Sequence, residues 1–128
     1  MTAPSIQPPA GDGGPAMEIH HQLRGLIVSG QLGAGERLPT VRQTAADLGV
    51  APGTVAKAYK LLERDGLVVT RTAAGTRVSE SAAVLPRVVV RRLRDLVAEA
   101  AAAGSEVDDV VNALRAIWQS SMQGAPRP

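Results

Sequence analysis

A hydroxyl group and two ammonium groups recur along one side of a predicted helix, at Thr54, Lys57 and Lys60, next to the small residues Gly53 and Ala56. A hydroxyl bonds to a base edge or a phosphate, and an ammonium to guanine or a phosphate. The glycine and the alanine permit close approach of a ligand. The set favours nucleic-acid binding, although a solvated helix face whose lysines serve only solubility fits these residues as well.

Groups for catalysis or metal binding are poorly represented. The chain has no cysteine, which excludes disulfides, thiolate metal sites and cysteine catalysis. His20 and His21 are adjacent, so they point in different directions on a helix, and no nearby acid completes a metal-binding spacing. Asp108 and Asp109 fall in the first turn of a predicted helix, where carboxylates stabilise the helix dipole. We therefore expect no enzyme activity, no metal site and no cofactor.

Two short amphipathic helices joined by a glycine turn are predicted over residues 41–66. Thr40 and Gln43 form a capping box at the start of the first helix. Gly49 and Gly66 suit the positive φ found where helices end. The second helix has one apolar stripe at helical spacing, formed by Val55, Ala58, Tyr59 and Leu62. The pattern predicts a helix-turn-helix, in which the N-terminal residues of the second helix contact base edges.

A β-hairpin is predicted to follow. Residues 67–72 are rich in β-branched side chains, residues 73–75 make a turn and residues 76–78 return. With arginines on its arms and a glycine at its tip, the hairpin is expected to form a wing on the DNA backbone or in the minor groove.

A further helix is predicted upstream, from an apolar stripe formed by Ile19, Leu23, Leu26 and Ile27. Between this helix and the capping box, Leu38 is expected to fill the core, and Arg37 and Leu38 to pair weakly with the hairpin. The predicted fold class is mainly α with a small β-hairpin (α+β), a winged helix-turn-helix domain followed by a C-terminal two-helix hairpin.

Residues 23–78 resemble the winged helix-turn-helix domain of the GntR superfamily of bacterial transcription regulators. The segments that carry the resemblance are GERLPTVRQ, TVAKAY and LERDGLV, followed by a glycine-containing hairpin. Members with an arginine-rich start to the recognition helix read bases there bidentately, whereas this chain has Pro52, Gly53 and Ala56. That departure resembles the YtrA-type subfamily, whose members use a short helical tail to dimerise and whose genes often accompany transporter genes.

The resemblance implies DNA contacts at Arg42, at Thr54 and its neighbours, and around Gly75. Together with the helix and hairpin patterns, it gives ten predicted DNA-binding residues, namely Arg42, Gly53, Thr54, Ala56, Lys57, Lys60, Arg71, Gly75, Thr76 and Arg77.

The C-terminal segment is predicted to be a helical hairpin with two apolar stripes, too small to bury both by itself. Packing against the same hairpin of a second subunit would form a four-helix interface and a twofold dimer. The alternative is that Ile117 and Trp118 fold back onto the chain's own DNA-binding domain. The predicted dimerisation residues are Leu93, Leu96, Val97, Val110, Val111, Leu114, Ile117 and Trp118.

The expected organisation has four parts. Residues 1–16 are rich in proline and glycine, which predicts a disordered arm, residues 17–80 form the DNA-binding domain, residues 84–123 the helical hairpin, and residues 124–128 a disordered tail. The sequence lacks the pattern of a signal peptide or a membrane-spanning helix, so the expected location is the cytoplasm. Its net charge of +2 is modest for a DNA-binding protein.

Two functions remain open at this point. The first is a homodimeric, sequence-specific repressor that binds double-stranded DNA at a twofold operator, with control of a transporter operon implied by the resemblance. The second is a winged-helix module for protein–protein contact or non-specific DNA architecture. A small-molecule effector is an open question as well, because a groove near Leu93, Val97, Leu114 and Trp118 suits either a small apolar ligand or simple core packing.

Overall fold

The computed structural model describes residues 6, 14–71 and 75–124. In this part of the chain the helices are α1 (Pro15–Val28), α2 (Val41–Leu48), α3 (Pro52–Arg64), α4 (Arg87–Ala102) and α5 (Val107–Gly124), and the strands are β1 (Val68–Arg71) and β2 (Gly75–Val78). The predicted fold class, mainly α with a small β-hairpin, is confirmed. The chain divides into two compact units between Leu85 and Pro86.

Helix α1 begins with a proline, which suits the first turn because the proline nitrogen carries no hydrogen to leave unpaired. It starts two residues before the predicted domain boundary at residue 17. Of the arm predicted over residues 1–16, only residue 6 and residues 14–16 are among the described residues. One face of α1 is completely buried, through Ile19, Leu23 and Ile27.

Helices α2 and α3 form the helix-turn-helix. The Thr40 hydroxyl accepts a hydrogen bond from the Gln43 amide at 3.1 Å, half of the predicted capping box. Gly49 ends α2 with a φ of +68°, a left-handed conformation that side chains disfavour. The chain then turns through Ala51 into Pro52, and α3 buries its predicted stripe of Val55, Ala58, Tyr59 and Leu62 against α1 and α2.

Strands β1 and β2 pair in antiparallel fashion, with Val68 opposite Val78 and Arg71 opposite Gly75. Of the turn predicted over residues 73–75, residues 73 and 74 lie outside the described residues. Gly75 opens β2 instead of belonging to the turn. The buried ends of the hairpin, Val68 and Val78, join Leu38 and the helices in one core.

The second unit is a helical hairpin made of α4 and α5. None of the residues of α4 is buried, and the large apolar side chains of both helices retain substantial exposure. Leu85 lies in the first unit, where its amide donates to the Val28 carbonyl at 2.8 Å. Of the predicted tail over residues 124–128, only Gly124 is described. No helix among the described residues has the length and apolar character to span a bilayer.

Candidate nucleic-acid interface

Helix α3 is fixed against α2 by a buried hydroxyl. The Tyr59 hydroxyl donates to the Pro39 carbonyl at 2.8 Å and lies 2.9 Å from the Thr44 hydroxyl. Burial raises the pKa of Tyr59, more than the hydrogen bond with Thr44 lowers it. Tyr59 therefore remains protonated. Its hydroxyl holds the middle of α3 to Pro39, which precedes α2, and to Thr44 within α2.

A second contact fixes the C-terminal end of α3. His20 of α1 donates from Nε2 to the Asp65 carboxylate at 2.8 Å, and the exposed Arg24 guanidinium lies 3.4 Å from the same carboxylate oxygen. The hydrogen bond from His20 is the main reason that the pKa of Asp65 is below its ordinary value of 3.8, and the charges of His20 and Arg24 act in the same direction. His20 thus has a structural role, and among the described residues no three histidine, cysteine or acidic side chains are grouped to hold a metal ion.

The predicted contact face of α3 is accessible. Gly53, Lys57 and Lys60 are exposed, while Thr54 and Ala56 are partly buried. Positions 53 and 54 stand in the first turn of the helix, and a Cβ added at Gly53 would meet no atom within 4 Å. The N-terminal end of α3 therefore presents small and hydrogen-bonding side chains outward, as direct readout of a groove requires.

Arg42 stands in the first turn of α2 and is exposed. Its backbone position is fixed, because the hydrogen bond between Thr40 and Gln43 spans this turn. The other two predicted parts of the interface, α3 and the hairpin, lie in the same compact unit.

The hairpin places its four predicted residues in three register pairs, since Arg77 is opposite Val69. Arg71 is opposite Gly75, and the hydroxyls of Thr70 and Thr76 lie 3.2 Å apart. The Arg77 guanidinium donates from Nη1 to the Gly35 carbonyl at 3.1 Å, which ties part of its hydrogen-bonding capacity to the protein. Arg71 and Arg77 are both exposed.

The hairpin has a third, short partner in the sheet. Arg37 forms an antiparallel bridge with Arg77, and the Leu38 amide donates to the Thr76 carbonyl at 2.8 Å. This confirms the predicted pairing of Arg37 and Leu38 with the hairpin. The sequence prediction nevertheless omitted Arg37 from the candidate site. Its pairing with the hairpin was the available signal, since paired residues of two strands share a face.

The predicted dimerisation residues all lie on α4 and α5 and are accessible to different degrees. Trp118, Ile117 and Val97 are 61%, 64% and 63% exposed. Leu96, Val111 and Leu114 are exposed to a smaller extent, and Leu93 and Val110 are partly buried. An apolar groove of about 390 Å³ lies between the two helices, and its lining includes Leu114, one of the four residues predicted to surround an effector.

Comparisons with known proteins agree with this architecture. The model of the gntR family of bacterial regulatory proteins matches residues 15–78. The transcriptional repressor YtrA of Bacillus subtilis is 34% identical over 96 residues, which cover 71% of this chain and 74% of YtrA. The solved structure of YtrA from Sulfolobus acidocaldarius, a GntR-family transcription factor, is 30% identical in sequence, with a TM-score of 0.54 and a match that covers 76% of this chain and 97% of that chain.

A further solved structure, the DNA-binding domain of AraR in complex with operator ORE1, shares the fold of the first unit. It has a TM-score of 0.50 and 24% identity, and the match covers 57% of this chain and 93% of that one. The relatives named here are transcription regulators and not enzymes, as expected, and the resemblance to YtrA-type regulators is confirmed. From its helix-turn-helix, its wing and a family match that spans both, the chain belongs to the GntR family of bacterial regulatory proteins.

Proposed function

We propose that this GntR-family regulator is a homodimeric repressor that reads a twofold symmetric operator in double-stranded DNA. In this proposal the first unit contacts the DNA and the second unit joins two chains. The operator controls a transporter operon, as the resemblance to YtrA-type regulators implies.

The observation that carries the proposal is the N-terminal end of α3, which is accessible while the opposite side of the helix is fixed to the rest of the unit. Gly53, Thr54 and Lys57 face outward, and the buried hydroxyl of Tyr59 and the carboxylate of Asp65 anchor the same helix to α2 and α1. Fixed side chains on a rigid element discriminate between base pairs, because a helix that moved would lose the geometry of its hydrogen bonds. The AraR domain, which shares this fold, was solved on an operator.

Dimerisation is supported by the apolar surface of the second unit. Trp118 is 61% exposed and Ile117 64%, and neighbouring turns of α4 and α5 add further aliphatic side chains. Large apolar side chains exposed in this number are costly in water and favour association with a partner. In this proposal a second subunit covers this surface, and the alternative is that Ile117 and Trp118 fold back onto the DNA-binding domain. Two chains joined by a twofold axis would present two recognition helices to inverted half-sites.

Repression is the direction of control that we propose, on two grounds. The B. subtilis relative that matches over most of its length is named a repressor. A compact regulator that occupies a promoter blocks polymerase without any additional surface, whereas activation needs a contact with polymerase.

Selection of bound sequences from random duplex DNA tests the DNA-reading part of the proposal. We expect an enriched motif and a preference for it over a scrambled duplex. The preference should persist as salt is added, because salt weakens the phosphate contribution to affinity, which is the same for all sequences, and leaves the base contacts in place. Thr54→Val and Lys57→Ala should each reduce that preference by about tenfold, since one lost base contact costs about 1–3 kcal/mol.

The alternative function, protein–protein contact or non-specific DNA architecture, predicts a different result. No motif would be enriched, affinity for every duplex would fall together with salt, and the two substitutions would change binding equally on all sequences or not at all. The effector site near Leu93, Val97, Leu114 and Trp118 stays a prediction in either case.

A further inference from the structure

Residues 35–38 pair with β2 and form the edge of the wing sheet on that side. Three backbone hydrogen bonds hold this edge: Leu38 to Thr76 at 2.8 Å, Val78 to Glu36 at 2.8 Å and Gly35 to Val78 at 2.9 Å. They flank the bridge between Arg37 and Arg77. The predicted pairing of Arg37 and Leu38 with the hairpin thus extends to Gly35 and Glu36, and it broadens the wing beyond β1 and β2.

The register places three arginines on one face of this sheet. Arg37 is directly opposite Arg77, and residues directly opposite in antiparallel strands project to the same side. Arg77 is two residues from Gly75, which is paired with Arg71, so Arg71 belongs to the same face. We call Arg37, Arg71 and Arg77 the wing arginines.

The wing arginines have no protein counter-ion among the described residues. The ion pairs found in residues 14–71 and 75–124 all involve Asp65, which lies at the end of α3. Arg77 bonds only to a carbonyl, that of Gly35, and all three side chains are exposed. Three guanidinium groups on one face without carboxylates suit a polyanion whose charges are regularly spaced, which is the chemistry of a nucleic-acid backbone.

Gly75 makes room for the Arg37 side chain. A Cβ built at Gly75 would lie 3.0 Å from Nε and 3.3 Å from Nη2 of Arg37, closer than such atoms normally approach. The guanidinium therefore lies over the backbone at position 75, where any other residue would place a side chain. Gly75 also has a φ of +72°, so the backbone conformation favours glycine at this position, and an added Cβ would have to displace the Arg37 guanidinium.

Arg37 also borders the start of α2. Together with Leu38, Pro39, Thr40 and Gln43 it lines an open cleft of about 420 Å³, beside the turn that carries Arg42. One guanidinium thus stands between the wing and the first turn of the helix-turn-helix, two elements that are both predicted to contact DNA.

We propose that Arg37 is a third wing contact, which binds a backbone phosphate of the DNA, and that Gly75 is a positioning residue for its guanidinium. This inference rests on the proposed DNA-binding function and adds a residue to it. A phosphate contact carries no sequence information by itself, so Arg37 should contribute to affinity equally on all sequences.

The test compares Arg37→Ala, Arg37→Lys and Arg115→Ala on the selected duplex and on a scrambled duplex across a salt series. Arg115 is an exposed arginine of α5, so its substitution removes the same charge from the other unit. We expect Arg37→Ala to weaken both duplexes by the same factor, at least roughly three- to tenfold, and to reduce the slope of log affinity against log salt by about 0.9 per phosphate contact, which is about 1.8 for a dimer. Arg37→Lys should keep the slope, and Arg115→Ala should keep both affinity and slope.

A double-mutant cycle tests the role of Gly75. Gly75→Ala should weaken binding in the wild-type chain by displacing the Arg37 guanidinium, and should weaken it less in the Arg37→Ala chain, where no guanidinium is displaced. Equal effects in both backgrounds would overturn the positioning role. Circular dichroism melts of each variant identify any loss that comes from unfolding, and the Arg37→Lys chain supplies a variant with the same backbone and the same charge.

The outcomes separate this inference from the function on which it rests. A wild-type chain with sequence preference, combined with an unchanged salt slope for Arg37→Ala, would overturn the Arg37 contact and leave the operator-reading function intact. A wild-type chain without sequence preference, combined with a reduced slope, would support the phosphate contact and contradict operator reading. A reduced slope for Arg115→Ala equal to that for Arg37→Ala would also overturn the inference, because the effect would then be one of net charge.

Discussion

Two side chains from distant parts of the sequence determine where the recognition helix lies. Tyr59 bonds to the Pro39 carbonyl 20 residues away, and Asp65 accepts from His20 45 residues away. The Tyr59 contact buries a hydroxyl that would cost about 1–3 kcal/mol if left without a partner. Asp65 itself is exposed, and its carboxylate accepts from the buried ring of His20. The position of α3, and therefore of the residues predicted to contact bases, depends on a few specific hydrogen bonds as well as on the apolar core.

Asp65→Asn should reduce the free energy of unfolding near neutral pH, and this reduction should disappear in acid. Since hydrogen bonding from His20 lowers the pKa of the folded carboxyl below 3.8, the carboxylate stabilises the fold above that value, and the stabilisation disappears as the pH falls through the lower folded value. Urea titrations at about pH 6 and about pH 3 measure the difference in unfolding free energy between the two chains, which should be larger at the higher pH.

Asp47→Asn is the matched control, because Asp47 is an exposed carboxyl of α2 with no ion pair among the described residues. Its effect should be small at both pH values. A destabilisation by Asp65→Asn that is the same at both would contradict the role given to the charged carboxylate.

At the scale of elements, two glycines of the helix-turn-helix should respond in opposite ways to alanine. Gly49 has a φ of +68°, so Gly49→Ala should cost about 1 kcal/mol of unfolding free energy. Gly53 stands inside α3 with no atom within 4 Å of an added Cβ, and Gly53→Ala should maintain stability or raise it by up to about 1 kcal/mol. Urea unfolding of the two variants measures both effects, and a stabilising Gly49→Ala would contradict the assigned turn geometry.

Gly53→Ala also tests the proposed approach of α3 to DNA. Because the added methyl group meets nothing in the protein, a loss of operator affinity would come from the DNA side. We expect a loss of about tenfold, which is about 1.4 kcal/mol, in gel-shift titrations with the selected duplex. Wild-type affinity in a stably folded Gly53→Ala chain would remove Gly53 from the interface.

Elements whose signals lie within one or two turns were predictable from the sequence. The Thr40 cap, the Gly49 stop and the Pro52 start all act on neighbouring backbone groups, so local patterns contain the information for α2 and α3. The apolar stripes predicted which residues form the core, because helical spacing determines which side chains share a face.

Features that depend on tertiary packing were not predictable in this way. The pairing of His20 with Asp65 joins two helices that the sequence separates widely, and nothing local to either residue signals it. Gly75 was expected in the turn but lies in β2, because its pairing with Arg71 extends the hairpin by one residue beyond the predicted strand. Arg37 was missed as a site residue although its pairing with the hairpin was predicted, because the face on which it lies depends on its register with Arg77, which the sequence pattern does not determine.

At the scale of the whole molecule, the apolar surface of the second unit should control assembly. Trp118→Glu places a charge on this surface and should dissociate the dimer, since burial of two indole rings contributes on the order of several kcal/mol. Ala116→Glu, two residues away along α5 and also exposed, adds the same charge on a different side of the helix and should leave the dimer intact. Sedimentation velocity at several concentrations measures both, and a dimeric Trp118→Glu chain would contradict the assignment of this surface.

The central claim is that the first unit binds DNA specifically and that the second unit joins two chains into a dimer. Parallel selections of bound DNA with the wild-type and Trp118→Glu chains test this claim most directly. We predict that the wild-type chain enriches two inverted half-sites about one helical turn apart, and that Trp118→Glu enriches isolated half-sites of the same sequence with lower affinity. The same paired motif from both chains, or no motif from either, would contradict the account.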